Sequence, residues 1–215
     1  MILDSRQYSC AATAWFPSCS ALRAGCRFAT VLIVASEEAP LRMTKNGLVA
    51  DVDGWFVVNA RESRWRDEGR LGVYCTFEGK RRFRQLGINV NVLEPGQALG
   101  MYHREDAQEG FLVIAGECLL VVEGRERRLT TWDYFHCPPG TDHVIVGSGH
   151  GPAVVVAVGA RGRGGVVYPV SDVAARFGAS VERETRNPRE AYAEVYADLP
   201  RSHWVMYRNG WLPDG

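Results

Sequence analysis

Between Gly54 and Ala160 turn-forming residues interrupt the chain roughly every 8–12 residues, with short apolar runs between the breaks. That spacing leaves little room for helices of ordinary length and argues for an antiparallel sandwich or barrel. The candidate strands are GWFVVNA (54–60), GVYCTFEG (72–79), FRQLGINVNVLEPG (83–96) and FLVIAGECLLVVEG (111–124). RRLTTWDYFHCPPG, TDHVIVGSG and GPAVVVAVGA complete the series. In the third candidate Ile88, Val90 and Val92 alternate with Asn89 and Asn91, the period-two signature of a half-buried strand. Glu94-Pro95-Gly96 closes it as a turn, Pro presetting φ and Gly permitting a positive φ. The charged run RESRWRDEGR reads as a turn after the first strand.

The two ends of the chain differ from this middle. Residues 1–42 hold three acidic residues, three of the six Cys and no clear hydrophobic period. FATVLIVA, Phe28 to Ala35, has the look of a signal-peptide core with Arg23 and Arg27 close before it, yet a long neutral stretch precedes those arginines and no clean A-x-A site follows. The expectation is a poorly ordered extension, with Met43 as an alternative start of the native product. After Gly159, ARGRGG reads as a linker. SDVAARFGAS (171–180) then predicts a short helix capped by Ser171. NPREAYAEVYADLP (187–200) predicts a second, with Asn187 as cap, Pro188 first and Glu190 three after the cap. Ala191, Tyr192, Val195, Tyr196 and Leu199 form its apolar face. The expected domains are therefore 1–42 extension, 43–165 β-barrel and 166–215 helical tail, the tail packing on the barrel or across a subunit contact of a homodimer.

Composition narrows the function. The formal net charge is zero, so nothing global favours nucleic acid or an anionic membrane, and a small-molecule ligand is the expected partner. No apolar run reaches the roughly 20 residues that span a bilayer. Six Cys without a CxxC pair in 215 residues suggest free thiols in a reducing, cytoplasmic compartment.

The chemistry concentrates in Gly96–Gly147. Gly96 is followed by His103-Arg104-Glu105, then Glu109, then Gly116; later come Asp133, Pro138-Pro139-Gly140 and His143. This pattern resembles the two motifs of the cupin superfamily: Gly, spacer, His-x-His, Glu, Gly, and then Gly-Asp, spacer, Pro-x-Gly, His. Glu105 stands where the first motif has its second His, Trp132 where the second usually has Gly, and Gly147 where it often has Asn. The resemblance is close over about 60 residues and general over roughly 43–165. It implies a jelly-roll β-barrel with a metal centre in its interior. Carried over residue by residue, it implies His103, Glu105, Glu109 and His143 as ligands of one divalent ion (Fe, Mn, Ni or Zn).

Side-chain physics agrees. Glu109 shares strand parity with Phe111, Val113 and Ala115, and His143 with Ile145, so carboxylate and imidazole face an apolar wall. Such groups are costly there unless paired or metal-bound. Two His with one or two carboxylates suit a divalent ion with open positions for substrate or dioxygen. Taken singly, His103 and Glu105 read as a polar loop and His143 as a hydrogen-bonded core residue; the joint spacing points to metal. Tyr102, Phe111 and His136 flank the motifs as candidate substrate contacts, whereas catalytic residues stay unassigned. Cys137 reads as an inert buried thiol and KRRFR (80–84) as a solvated strand face. The function expected is a metal-dependent small-molecule enzyme of dioxygenase or isomerase type. The alternatives are a non-catalytic small-molecule binding or sensing module and an oligomeric scaffold whose barrel is filled by its own side chains.

Overall fold

The computed structural model describes residues 37–51, 54–162, 164–197 and 204–214. The expected N-terminal extension, up to residue 36, and Leu199 of the second tail helix lie outside the described residues. The strands are β1 (Leu41–Thr44), β2 (Gly47–Ala50), β3 (Trp65–Asp67), β4 (Val73–Cys75), β5 (Leu86–Leu93), β6 (Arg104–Glu105) and β7 (Glu109–Ala115). They continue with β8 (Glu117–Val122), β9 (Arg125–Thr130), β10 (Tyr134–Cys137), β11 (His143–Ser148), β12 (Ala153–Ala160), β13 (Val166–Val167) and β14 (Trp204–Val205). The helices are short: α1 (Asp172–Ala175), α2 (Pro188–Ala191) and α3 (Ala193–Ala197).

The fold is mainly β, and every pairing between named strands is antiparallel. A seven-stranded sheet runs β10-β7-β12-β5-β4-β3-β14, and a three-stranded sheet runs β11-β8-β9. Single bridges at Ala98–Val146 and His103–His143 tie the intervening segment to the smaller sheet. Among the described residues β1-β2 and β13-β6 form two further two-stranded sheets, and the two larger sheets share one core. Their shared core holds Leu93, Phe111, Val113 and Val155 from the large sheet against Cys118, Leu120, Leu129 and Ile145 from the small one. The chain passes between sheets at Gly116, whose φ is +74° and whose missing Cβ leaves room for the Pro152 carbonyl, 2.5 Å from where a Cβ would sit. Only glycine adopts that turn without strain.

The alternation in β5 sorts its side chains differently from a half-buried strand. Val90 and Val92 turn to a second core with Trp65, Cys75 and Val154, which Tyr207, Trp211 and Leu212 of the C-terminal segment cover. Asn89 and Asn91 face a cavity on the opposite side of the same sheet. Both faces are therefore used, and the polar one points inward: Asn91 is buried and its Nδ2–H donates to the Val155 carbonyl at 3.2 Å.

Three local expectations are corrected. GWFVVNA is not a strand; Trp55 makes one bridge with Glu38, and Val57 is exposed. The charged run after it contains β3, because Trp65 is fully buried and its Nε1–H donates to the Ala60 carbonyl at 2.8 Å. One large aromatic outweighs its charged neighbours, of which Arg64 and Arg66 occupy the other parity. The tail is helical only in short pieces. Ser171 caps α1 through its side chain, which accepts from Ala174 N–H, and Asn187 caps α2 by accepting from Arg189 N–H. Tyr192 leaves helical geometry between α2 and α3, and the chain then returns as β14 on the edge of the large sheet.

Candidate metal centre

His103 and His143 face each other across a two-residue antiparallel bridge. Each backbone N–H donates to the other's carbonyl, at 3.1 and 2.8 Å. Directly opposed residues send their side chains to the same face, and the imidazole centroids lie 4.7 Å apart. Glu109 opens β7 and brings its Oε2 to 3.4 Å from His143 Nε2 and 3.9 Å from His103 Nε2. One ligand atom from each of the three residues falls within 4.8 Å of the others. Positions 103, 109 and 143 thus converge on one point.

The backbone sets the imidazole tautomers. His103 Nδ1–H donates to the Met101 carbonyl at 2.6 Å, and His143 Nδ1–H donates to the Thr141 carbonyl at 3.1 Å. A carbonyl only accepts, so each Nδ1 carries the proton and each neutral ring presents a bare Nε2 lone pair to the centre. Burial pushes His143 down to about 4, helped by the neighbouring His103, and burial also lowers His103. Both rings are therefore neutral at pH 7, and their short separations from Glu109 are not ion pairs. Burial, reinforced by the charge of Glu105, raises the Glu109 carboxyl to about 7. Glu109 Oε2 and His143 Nε2 are buried without any hydrogen-bond partner. Two orphaned ligand atoms facing each other are what a divalent ion would satisfy, so the residues present fit such a group.

The other predicted residues divide. Phe111 walls the cavity and packs its ring 5.3 Å from that of His143. Glu105 also lines the cavity, on β6, but is not one of the three converging groups. Tyr102 is turned the other way from His103, as alternation requires. It is buried among Ala98, Val121, Val144 and Val146, and its hydroxyl accepts from Gly124 N–H at 3.2 Å. His136 is exposed on β10, whose buried Cys137 and half-buried Phe135 point inward instead. The structure brings neither Tyr102 nor His136 to the cavity wall. Cys137 is buried, its thiol pushed up to about 12 chiefly by burial, and its Sγ lies 3.4 Å from His143 Nδ1.

The cavity, about 770 Å³, also recruits residues that motif spacing never indicated: Arg64, Tyr74, Asn89, Asn91, Tyr192 and Trp204. Tyr192 is the most intimate of these, since its hydroxyl accepts from Met101 N–H at 3.3 Å, behind the carbonyl that orients His103. Asn89 and Asn91 carried a signal in their alternation. The others arrive from strands and a tail distant in sequence and carried none.

Comparison with known proteins agrees with the motifs. The cupin domain family model matches residues 89–159. Residues 89–159 therefore carry a cupin domain. A sugar phosphate isomerase of the cupin superfamily from Silicibacter pomeroyi aligns at 24% identity over 45% of this chain and 64% of its own, with a TM-score of 0.41. The chain therefore spans less than two thirds of that relative's length. An RmlC-like cupin from Shewanella frigidimarina aligns at 20% identity over 49% of this chain and 90% of its own, with a TM-score of 0.42. No curated protein matches the chain.

Proposed function

We propose that this chain is a metal-dependent cupin enzyme for a small molecule, of dioxygenase or isomerase type, acting inside a jelly-roll barrel. The reading rests on one observation: buried Glu109 Oε2 and His143 Nε2 face each other without a hydrogen-bond partner. His103, Glu109 and His143 would hold one divalent ion, with Glu105 as a fourth ligand from the cavity wall. When bound, the ion supplies Lewis-acid polarisation of a substrate oxygen or redox chemistry at its open positions. The chain's own residues do the rest. The Met101 and Thr141 carbonyls hold the imidazoles in the ligating tautomer. Phe111, Ile145 and Ala157 wall the cavity beside the centre and exclude water from it. Without the ion, burial raises the Glu109 carboxyl to about 7, so binding of the ion would release its proton near neutral pH.

Metal analysis of protein purified without chelator tests the reading. About one divalent ion per chain is expected, with folded His143→Ala and Glu109→Ala variants losing it. Wild-type protein that takes up none of Fe, Mn, Ni or Zn at micromolar concentrations would refute it. Binding of a small molecule without turnover, unaffected by chelator, would make the chain a sensing module instead. We further propose a cytoplasmic homodimer. The three described cysteines are free and buried, in keeping with a reducing compartment, and light scattering of the purified chain tests the stoichiometry.

A further inference from the structure

We propose that the end of the cavity around Arg64 binds a carboxylate or phosphate group, so that the natural ligand is an elongated organic anion whose other end reaches His103, Glu109 and His143. The anion site at Arg64 stands on its own observations; only the placement of the ligand's other end rests on the metal reading.

The strand register builds the path. Trp204, Arg66, Tyr74, Asn91 and Val155 are paired successively across β14, β3, β4, β5 and β12. Residues in such a cross-strand row share one face of the sheet. Arg64 precedes Arg66 by two residues and lines the same cavity, as do Tyr74, Asn91 and Trp204. β3 is four strands from β7, which carries Glu109. At ~4.8 Å per strand that is about 19 Å along the sheet, and less straight across the cavity it lines. A volume of about 770 Å³ accommodates a molecule of that reach.

Charge bookkeeping singles out Arg64. Among the cations lining the cavity, Arg66 is paired with Glu68 at 2.5 Å and Arg161 with Glu78 at 2.7 Å. The carboxylate of Asp51, whose charge also reaches Arg64, is already engaged by Arg42 Nε at 2.8 Å and by Lys80 N–H at 3.1 Å. Arg64 itself has no carboxylate against it among the described residues. Its guanidinium lies 3.8 Å from the centroid of the Trp204 ring, and one Nη2–H donates to the Glu78 carbonyl at 3.1 Å. Its Nε–H is buried and has no acceptor. A planar fork held by stacking and one backbone contact, and facing no carboxylate, keeps the rest of its outer N–H groups for an oxyanion. Exposed Lys80 and Arg82 extend the positive charge at the rim. Glu105 on β6 and Glu109 on β7 line the same cavity, Glu109 four strands from β3.

The test uses full-length, chelator-treated protein labelled with 15N, so that metal plays no part. Inorganic phosphate and succinate are titrated in separate arms at constant ionic strength, following the arginine Nε–H signals. The Arg64 signal is assigned by its loss in Arg64→Lys. It is expected to shift saturably with phosphate, succinate or both, the arms telling a tetrahedral from a planar head group. Arg64→Gln, and Arg64→Lys with charge and stem retained, both lack that signal, so their affinity is read beside wild type by isothermal titration calorimetry; each should weaken binding by at least about tenfold, the weight of a charge-assisted hydrogen bond. Metal content, measured separately, should be the same in wild type and both variants. No saturable shift with either anion, or wild-type affinity in both variants, would overturn the proposal. A persistent shift in a protein that binds no metal would sustain the anion site and sink only the metal reading.

Discussion

Glu109→Gln should make the metal-free protein more stable at alkaline pH, although it destroys a ligand. The carboxyl titrates at about 7 in the folded chain against 4.5 in the free side chain, because burial and the charge of Glu105 disfavour its ionised form. A raised value means that Glu109 is harmless to folding below about 4.5, and that stability is lost progressively as pH rises through 7. Linkage between those two values puts the penalty at about 1 kcal/mol at pH 5 and about 3 kcal/mol at pH 8. Gln carries no charge, and its amide can donate to the orphaned His143 Nε2. Urea unfolding of both proteins in excess chelator reads the difference. The variant should gain about 1 kcal/mol at pH 5 and about 3 kcal/mol at pH 8. Adding a divalent ion at about a hundred times its dissociation constant should restore about 2.7 kcal/mol to the wild type and nothing to the variant. A wild type as stable as the variant at pH 8 in chelator, or a difference that does not shrink with acid, would show that Glu109 already has a partner.

Further outcomes follow from single contacts. Gly116→Ala places a Cβ 2.5 Å from the Pro152 carbonyl oxygen at a φ of +74°. It should destabilise by about 2 kcal/mol and lower the Tm by about 4–8 °C, read by calorimetry. Tyr192→Phe removes the hydroxyl that accepts from Met101 N–H. A loss of about 1–2 kcal/mol and about tenfold weaker metal binding are expected, measured by urea unfolding and competition with a chelating dye. Cys118 and Cys137 are both pushed up to about 12, chiefly by burial, so neither forms thiolate at pH 8. Peptide mass spectrometry after iodoacetamide should find both unmodified in the native protein and modified in urea.

Most of the central strands and the convergence of His103, Glu109 and His143 were legible for a common reason: both are written in local spacing. Glu109 shares parity with Phe111 and Val113, and the structure keeps that parity in β7. The apolar runs on either side of Gly116 became two strands because a positive φ and a close carbonyl require glycine there. Trp65 was hidden because its neighbours are charged and its burial depends on Tyr207 and Trp211, far along the chain. The β14 edge strand was hidden for the same reason, since its partner is β3. Tyr102 and His136 were chosen for nearness to the motifs, but in an extended chain nearness along the sequence alternates between opposite faces.

By itself, then, the sequence determined strands β4, β5 and β7 to β12, the turn at Gly116, and that His103, Glu109 and His143 stand at the spacing of a metal-binding motif. Spacing and parity act within a few residues, and any extended chain obeys them. Only the tertiary structure decided that the Asn face of β5 points inward, that Arg64 lies stacked on Trp204, and that Tyr192 braces the loop carrying His103. Those relations join residues whose separation along the chain carries no information about their distance in space, and packing alone sets them.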